Sequence, residues 1–417
     1  MTEVVVAGGG LAGLVAARHL AESGHDVTVF EKRSDVGGRV RTVNEDGYTF
    51  DRGFQVMFTA YPAAKRELDI EALAPRTFTP GATIASPNHR SVLSDPLRNP
   101  SAAPQTLLNT DVRTADKLRL FQLQRELAGV EPVKLLSRGG STIREYLTDY
   151  GFSQKFVKRF AAPFYGGITL DRSLETDSSI FEYTYKMLSE GEIFVPASGM
   201  QAMPEQLADR ARAAGATIET DAAVTTLQTH DDEVTAEVAS ETISAEHAVV
   251  ATDPQTVTEL TDVDAIPTES AGCVTQYFAL PTSRAPSTGS RIILNAADDR
   301  PNTVAPLSAV ASEYAPAGME LYSATFLGTP EESDEALARE VRDAMQSWYP
   351  EASFDALELL RTVRVPFSQF AQPPGYRDAL PDPSAPDGTA VLAGDYTRWS
   401  SIQGALESGK VAADLLR

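Results

Sequence analysis

The first forty residues predict a strand, a glycine-rich turn, a helix and a second strand. An apolar run at 4–7 leads into the sequence GGGLAG at 8–13, after which apolar residues recur at helical spacing. Gly24 ends that helical pattern, and the run at 27–30 has the composition of a second strand. This order is typical of the βαβ unit that begins a doubly wound α/β domain.

The glycine spacing in this turn predicts a bound dinucleotide. Gly8, Gly10 and Gly13 match the pattern G-x-G-x-x-G. In that pattern the first glycine permits a tight turn, the second lets the backbone approach a pyrophosphate, and the third lets the helix pack closely on the strand. The free N–H groups at the helix N-terminus then face the phosphates. A βαβ unit with a glycine turn and no ligand is the alternative.

Glu31 follows directly on the second strand and strengthens the dinucleotide interpretation. An acidic side chain at this place can accept hydrogen bonds from both ribose hydroxyls, and it would repel a 2′-phosphate, which disfavours NADP.

Further on, Gly37-Gly38-Arg39 forms a second glycine turn with a forked cation. It could wrap more phosphate oxygens, or be a turn with a solvated arginine. Residues 47–56 look like a short strand that runs into another glycine turn.

The charge balance excludes one class of partner. The chain has 58 Asp and Glu against 36 Lys and Arg, a formal net charge of −22. Nucleic acid is therefore an unsuitable partner, because phosphate binding needs the opposite sign. A dispersed acidic surface of this size suits a salt-rich cytoplasm, so we predict a halophilic source.

We expect salt to stabilise the protein. Counter-ions screen the self-repulsion of a net charge of −22, and molar salt also strengthens the burial of apolar surface. The melting temperature, followed by circular dichroism, should rise by several degrees from low to molar KCl. A melting temperature that stays level over that range would contradict the halophilic interpretation.

Chain length and cysteine content limit the number of domains and the compartment in which the protein occurs. A chain of 417 residues exceeds the usual single core, so two domains are expected. Cys273 has no second cysteine to pair with, which indicates a reducing compartment, and its strand-like context indicates a core residue.

The first strand begins at residue 4, which leaves no room for a signal peptide, and no run is apolar enough to span a membrane. We therefore expect a cytoplasmic protein, with contact at a membrane surface still open. The scattered histidines predict no metal site.

Several motifs together carry a resemblance to a known family. They are G-G-G-L-A-G-L at 8–14, E-K-R-x-x-x-G-G-R at 31–39, D-R-G-F-Q-V at 51–56, the run at 248–254 and the last thirty residues. The chain resembles the superfamily of flavin-containing amine oxidases, protoporphyrinogen oxidases and phytoene desaturases. The resemblance implies that the dinucleotide is FAD. It also implies an α/β fold in which a Rossmann-like FAD-binding domain of the glutathione reductase type carries an inserted α+β substrate domain.

The resemblance also suggests where the chain divides. We assign 1–58, 195–271 and 385–417 to the FAD-binding domain, and 59–194 and 272–384 to the substrate domain. The first substrate segment contains a proline-rich stretch from 75 to 104, predicted helices near 116–127, 142–150 and 153–160, and an apolar segment with a glycine pair at 161–168 that we interpret as a loop. This segment is either a helical core or the wall of an apolar substrate tunnel. The second substrate segment predicts a mixed or antiparallel sheet with one helix near 336–348.

The C-terminal motif completes the predicted cofactor site. A strand at 390–395 ends in Gly394-Asp395, and a helix begins near 402. The free N–H groups at 402–404 can stabilise negative charge on a reduced flavin, although an ordinary docking helix would share the apolar face. The resemblance places Asp395 at the ribityl chain or pyrophosphate and the Val224 backbone against the adenine. The predicted cofactor-binding residues are Gly8, Gly10, Leu11, Ala12, Gly13, Glu31, Lys32, Gly38, Arg39, Gly53, Phe54, Gln55, Val224, Gly394, Asp395, Ile402, Gln403 and Ala405.

The predicted function is dehydrogenation of a lipophilic, isoprenoid-like or tetrapyrrole substrate. The flavin accepts the hydride, no general base stands out in the sequence, and Gln55, Phe367 and Gln369 are the pocket candidates. An amine oxidase is the first alternative. Such enzymes typically carry a lysine near the flavin and an aromatic residue in the turn before the last helix, whereas 272–278 has no lysine and Ile402 stands in the aromatic position. A non-catalytic protein that binds prenylated partners on the same fold is the second alternative.

Overall fold

The computed structural model describes residues 2–94, 106, 109–230, 232–386 and 388–417, so residues 95–104 of the predicted proline-rich stretch lie outside the described part. The strands are β1 Glu3–Ala7, β2 Asp26–Phe30, β3 Thr42–Glu45, β4 Tyr48–Asp51, β5 Met57–Phe58, β6 Pro75–Thr77, β7 Ala82–Ser86, β8 His89–Leu93, β9 Ile193–Pro196, β10 Thr217–Glu219, β11 Val224–Thr229, β12 Val234–Val238, β13 Glu241–Ala245, β14 His247–Val250, β15 Ser270–Pro281, β16 Ile292–Asn295, β17 Thr303–Pro306, β18 Met319–Leu327, β19 Glu358–Phe370 and β20 Ala390–Leu392.

Two of the described helices lie among the first eight strands, and a series of helices follows between β8 and β9. The α-helices are α1 Leu11–Glu22, α2 Pro62–Glu67, α3 Thr114–Ala128, α4 Pro132–Leu135, α5 Ile143–Asp149, α6 Gln154–Phe156, α7 Ala162–Thr169, α8 Ser178–Glu190, α9 Ala202–Ala213, α10 Pro254–Leu260, α11 Leu307–Val310, α12 Asp334–Trp348, α13 Tyr376–Ala379 and α14 Ile402–Leu415. A π-helical turn, Val157–Ala161, joins α6 to α7.

The dinucleotide motif stands at the centre of a parallel sheet with the order β10-β2-β1-β14-β20. All of its pairings are parallel. Both faces of β1 are buried, because Val5 and Ala7 enter one apolar cluster and Val4 and Val6 another. This burial explains the continuous apolar run at 4–7, since strands of parallel sheets are covered on both sides. The architecture confirms the predicted Rossmann-like α/β fold.

A second sheet has the order β19-β15-β18-β17-β16-β7-β8. Its pairings are antiparallel except for the parallel pair β16–β7, so it is mixed. Strands β7 and β8 come from the segment predicted to be mainly helical, while the other strands come from 270–370. One sheet therefore draws on both segments of the predicted substrate domain. The domain boundaries themselves stay a prediction.

The apolar segment at 161–168, predicted as a loop, is helical, and this prediction was wrong. Helix α7 continues from α6 through the π-helical turn. Phe160 stacks on Phe164 at a centroid distance of 5.3 Å, one helical turn further on. Pro163 is the second residue of α7, directly after the π-helical turn. A Cβ on Gly166 would lie 2.9 Å from the Cα of Arg172, so this glycine serves close packing.

Smaller sheets complete the described fold. Strands β11, β12 and β13 form an antiparallel meander, and β9 pairs with β5 and β6. None of the helices in the described ranges has both the length and the apolar character needed to cross a bilayer. The same ranges contain no group of three or more His, Cys, Asp or Glu side chains that could hold a metal ion.

Candidate cofactor and substrate site

A large cavity of 590 Å³ begins at the carboxyl end of β1 and extends over one face of the mixed sheet. Ligands of open α/β sheets bind at this end of the strands. Most of the predicted site residues line the cavity: Gly8, Gly10, Leu11, Ala12, Glu31, Lys32, Gly38, Arg39, Gly53, Phe54, Gln55, Val224, Phe367, Gln369, Gly394, Asp395, Ile402 and Ala405. Gly13 and Gln403 are not in this lining. The roles of these residues toward a cofactor stay predictions.

Glycine is required at each of the three motif positions for a different structural reason. Gly8 has φ +109°, and a Cβ there would lie 2.6 Å from the carbonyl oxygen of Ala251. A Cβ on Gly13 would collide with the carbonyl oxygen of Gly8, so Gly13 permits the close helix–strand contact and has no access to the cavity. A Cβ on Gly10 would meet no protein atom within 4 Å. Gly10 therefore keeps space free on the cavity side, as close approach of a pyrophosphate requires.

Glu31 is buried and is held in place by backbone donors. The N–H of Gly9 donates to Oε2 at 2.9 Å, and the N–H of Arg33 donates to Oε1 at 3.0 Å. Only 4% of the residue is exposed. A carboxylate fixed in this way is preorganised to accept ribose hydroxyls at the end of β2.

We expect Glu31→Ala to weaken FAD binding about 5- to 150-fold, which corresponds to about 1–3 kcal/mol for hydroxyls left unpaired in a closed site. The measurement is the dissociation constant of FAD, from quenching of flavin fluorescence on adding apoprotein. Asp35→Ala is the control, because Asp35 is an exposed acid in the same loop. Equal losses in the two variants would contradict a specific role of Glu31.

The second glycine turn carries Arg39 to the centre of the site. Gly37 and Gly38 have φ of +126° and +61°. The Arg39 guanidinium forms an ion pair with Asp395 and donates to the carbonyl oxygen of Ser368 at 3.1 Å. Burial alone would lower the pKa of Arg39, but the attraction of Asp395 outweighs it and the pKa is raised. Arg39 is therefore an organised cation of the cavity wall rather than a solvated side chain.

The loop at 52–56, here called the Gly53 loop, forms another wall. Gly53 has φ +87°, and the N–H of Phe54 donates to Oγ1 of Thr275 at 3.3 Å. The Gln55 amide donates to the carbonyl oxygens of Arg39 (3.2 Å) and Arg52 (3.4 Å). Backbone and side-chain bonds thus fix this loop between the parallel sheet and the mixed sheet.

The C-terminal turn contributes to the site through the first residues of α14. Ser401 Oγ accepts the N–H of Gly404 at 2.8 Å and so caps α14, whose residues Ile402 and Ala405 line the cavity. The Gln403 side chain is directed elsewhere, because its Oε1 accepts the N–H of Ala63 at 3.0 Å. Gln403 therefore fastens α2 to α14, and its predicted cofactor contact has no support from its side chain.

Many lining residues were not among the predicted site residues, and three of them bear on cofactor binding. Thr252 and Asp253 follow β14, next to the end of β1, and Asp253 pairs with Lys32 at 3.4 Å. Their position at a strand end beside the glycine turn was the available signal. Arg52 also lines the cavity. Burial and the neighbouring Arg33 lower its pKa, and no ion pair of Arg52 occurs among the described residues.

These features fit a bound FAD. The buried Thr252 Oγ1 and Gln55 Oε1 have no hydrogen-bond partner among the described residues, as expected for groups that a ligand completes. Arg52 lies near the cations Arg33, Arg41 and Arg39, and no described carboxylate forms an ion pair with it, which suits a pyrophosphate. The open space at Gly10 admits such a group. The donor set therefore matches a flavin dinucleotide.

The far side of the cavity is mainly apolar. Phe367 lies there with the Arg39 guanidinium 5.9 Å from its ring centroid, and Gln369 donates to the carbonyl oxygen of Ile168 at 2.7 Å. The larger apolar and aromatic side chains of the cavity lining include Phe54, Val56, Phe58, Tyr61, Phe164, Ile168, Leu170, Ile180, Tyr183, Ile193, Ile292, Leu294, Val365, Phe367 and Trp399.

Comparison with known proteins agrees with this geometry. The family model of flavin-containing amine oxidoreductases matches residues 11–417. Over 160 residues the chain is 28% identical to a 4,4′-diapophytoene desaturase (4,4′-diaponeurosporene-forming) of Staphylococcus aureus. That match spans 38% of this chain but 27% of the relative, so the chain covers about a quarter of the length of the curated relatives it matches.

Solved structures are similar over the whole chain. An oxidoreductase from Methanosarcina mazei has a TM-score of 0.76 at 18% identity, with 99% of this chain and 100% of that chain covered. Wild-type putrescine oxidase bound to putrescine has a TM-score of 0.70 at 15% identity, with 100% and 99% covered. At these identities the likeness shows the fold. The family match confirms the resemblance inferred from the sequence, with FAD as cofactor and a flavin-dependent oxidoreductase as the class of enzyme. The chain belongs to the flavin-containing amine oxidoreductase family.

Proposed function

We propose that the protein dehydrogenates a neutral lipophilic substrate, isoprenoid-like or tetrapyrrole. When bound, FAD supplies the hydride acceptor at its N5 atom. The protein's own contribution is to hold the substrate in an apolar, water-excluding cavity beside the Gly53 loop. The observation that carries the proposal is the lining of the far side of the cavity, which is apolar and offers no free carboxylate.

The charges of the lining support a neutral substrate. Its described carboxylates are Glu31, Asp253 and Asp395. Glu31 accepts two backbone N–H groups, Asp253 pairs with Lys32, and Asp395 pairs with Arg39. A cationic amine would enter without a counter-charge, and burying an unpaired charge is costly. A hydrocarbon-rich substrate gains from the same surface.

One observation favours an amine oxidase as the second candidate. Ile402 occupies the place where an aromatic was expected, yet the same turn contributes Trp399 to the lining. Trp399 packs edge-on against Tyr183 at a centroid distance of 5.5 Å, and Tyr183 stacks on Tyr61 at 6.1 Å. Burial raises the pKa of both tyrosines, so these phenols stay neutral. An aromatic group of this kind could hold an uncharged amine.

A membrane surface is the proposed source of the substrate. Leu118 and Phe121 on α3 are 65% and 45% exposed, and Val133 on α4 is 64% exposed. Between residues 113 and 160, Lys and Arg outnumber Asp and Glu ten to five, in a chain with a net charge of −22. Exposed apolar side chains in a locally basic segment suit an anionic bilayer.

The test is anaerobic reduction of the holoenzyme, followed by the loss of flavin absorbance. One panel contains putrescine, cyclohexylamine and benzylamine; the other contains phytoene-like isoprenoids and a reduced tetrapyrrole, in detergent and in phosphatidylglycerol vesicles. We expect reduction by a member of the lipophilic panel, faster from vesicles, and slow or no reduction by amines. Fast reduction by an amine would overturn the proposal in favour of the second candidate. A Leu118→Ser/Phe121→Ser variant should lose the vesicle advantage and keep the rate in detergent.

A further inference from the structure

Three threonines form one row across the mixed sheet. Thr275 on β15 pairs with Thr325 on β18, and Thr325 pairs with Thr303 on β17. Directly paired residues of neighbouring strands point to the same face, so the three side chains form a threonine row. The row continues into Leu294 on β16, which pairs with Thr303.

This row lies on the floor of the cavity. Thr325, Thr303 and Leu294 all belong to the cavity lining. Thr275 is fully buried, while Thr325 and Thr303 are 6% and 5% exposed. Neighbouring strands are about 4.8 Å apart, so the row leads stepwise away from the Gly53 loop, ending at Thr303 about 10 Å from Thr275.

The hydroxyls of the row differ in what they bind. The Thr275 hydroxyl accepts the N–H of Phe54 at 3.3 Å, which ties the row to the Gly53 loop. No described residue forms a hydrogen bond with the Thr325 or Thr303 hydroxyl. Both residues are more than nine-tenths buried, but their Oγ1 atoms are not buried atoms without a partner, so the two hydroxyls reach the open space of the cavity. Valine has the same shape as threonine without a polar atom. Two adjacent threonines on an apolar floor therefore indicate a polar group of the ligand above them.

The surroundings define the chemistry of that group. The charged residues of the lining belong to the cofactor end, while Ile292, Leu294 and Val365 adjoin the row on the same floor. A hydroxyl both donates and accepts, but it cannot neutralise a charge. On the opposite wall, a Cβ on Gly167 would lie 3.7 Å from Thr303 Cγ2, so the absence of a side chain there keeps the space over the row open.

We propose that Thr303 and Thr325 form a subsite for a neutral oxygen function, a hydroxyl or a carbonyl, on the lipophilic substrate. The substrate is thus an oxygenated lipid rather than a plain hydrocarbon, with its oxygen about 5–10 Å along the floor from the Thr275 contact with the Gly53 loop. This inference rests on the proposed function and adds the functional group that the cavity recognises.

The test compares farnesol with farnesene, which share a carbon skeleton and differ in the hydroxyl. Binding to the oxidised holoenzyme is measured by perturbation of the flavin spectrum, without turnover. We expect Thr303→Val/Thr325→Val to weaken farnesol binding about tenfold and to leave farnesene binding unchanged. Thr303→Ser, which keeps the hydroxyl, should bind farnesol like the parent protein. Thr83→Val is the matched control, because Thr83 is a buried threonine of the same sheet outside the cavity lining.

The outcomes separate this inference from the proposed function. If farnesene and farnesol both bind and the double valine variant holds farnesol within twofold of the parent protein, the subsite is overturned and the lipophilic cavity stands. If neither ligand perturbs the flavin, the lipophilic cavity itself is contradicted and the subsite with it. The single variants Thr303→Val and Thr325→Val give the same comparison should the double variant fail to fold.

Discussion

Replacement of Arg39 by methionine is expected to lower the free energy of unfolding by about 3–5 kcal/mol, the usual loss when one partner of a buried ion pair is removed. Asp395 is 3% exposed and Arg39 30% exposed on their side chains. Without Arg39, the hydrogen bond from Ser400 Oγ at 3.1 Å would be the one that the Asp395 carboxylate keeps within the described part of the chain. The measurement is urea denaturation at the same excess of FAD. The stability change due to altered cofactor affinity, RT times the logarithm of the ratio of the two FAD dissociation constants, is measured separately and subtracted.

Two further variants distinguish the effect of breaking the ion pair from the effect of removing a positive charge. Arg41→Met removes a cation two residues away, and the Arg41 side chain has no hydrogen bond or ion pair among the described residues, so stability should change by less than about 0.5 kcal/mol. Arg39→Met/Asp395→Asn removes both charges and should recover part of the loss, because the stranded carboxylate is gone. A double variant no more stable than Arg39→Met would contradict the ion-pair explanation.

The nucleotide end of the site could be predicted because its determinants are local in sequence. Gly8 needs a positive φ, Gly13 must pack against the Gly8 carbonyl, and Glu31 ends the adjacent strand. Each requirement acts within one βαβ unit, so the residue types appear at fixed spacing. Requirements of local backbone geometry can therefore be recognised in the sequence.

The segment at 161–168, which is helical and was predicted as a loop, shows where such local reasoning fails. The glycine pair Gly166–Gly167 suggested a loop, because glycine costs about 1 kcal/mol in a helix interior. In the structure, α7 is held by the stacking of Phe160 on Phe164 and by the contact of Gly166 with Arg172. Tertiary packing therefore outweighs the unfavourable propensity of the glycines.

The substrate end could not be assembled from the sequence because it depends on strand order. Alternation within a strand shows which residues share a face, but it does not show which strand lies next to it. Thr275, Thr303 and Thr325 meet only through the register of β15, β18 and β17. Gln403 is a second example, since its bond to Ala63 joins residues more than three hundred positions apart.

Replacement of Glu67 by glutamine is expected to destabilise the protein at neutral pH by about 2–3 kcal/mol, the scale of hydrogen bonds to a charged group. The Glu67 side chain is fully buried and accepts hydrogen bonds from His19 Nε2 (3.0 Å), Arg66 Nε (2.5 Å) and Arg18 (3.3 Å). It thereby joins α2 to α1. Glutamine keeps the size of the side chain but loses the negative charge that these donors share.

The pH dependence identifies the charge as the source of this stabilisation. Burial alone would raise the pKa of Glu67, but the hydrogen bonds from His19 and Arg66 outweigh it and lower the pKa. A lowered carboxyl pKa contributes stability above the unfolded value, about 4.3, and this contribution is lost as the pH falls through the folded value. The difference between parent and Glu67→Gln in urea denaturation should therefore be largest at neutral pH and shrink below about pH 4. Glu71→Gln, at an exposed acid without a side-chain partner among the described residues, should match the parent protein throughout. A difference that stayed constant from neutral to acid pH would show that the shape of the side chain, and not its charge, stabilises this helix contact.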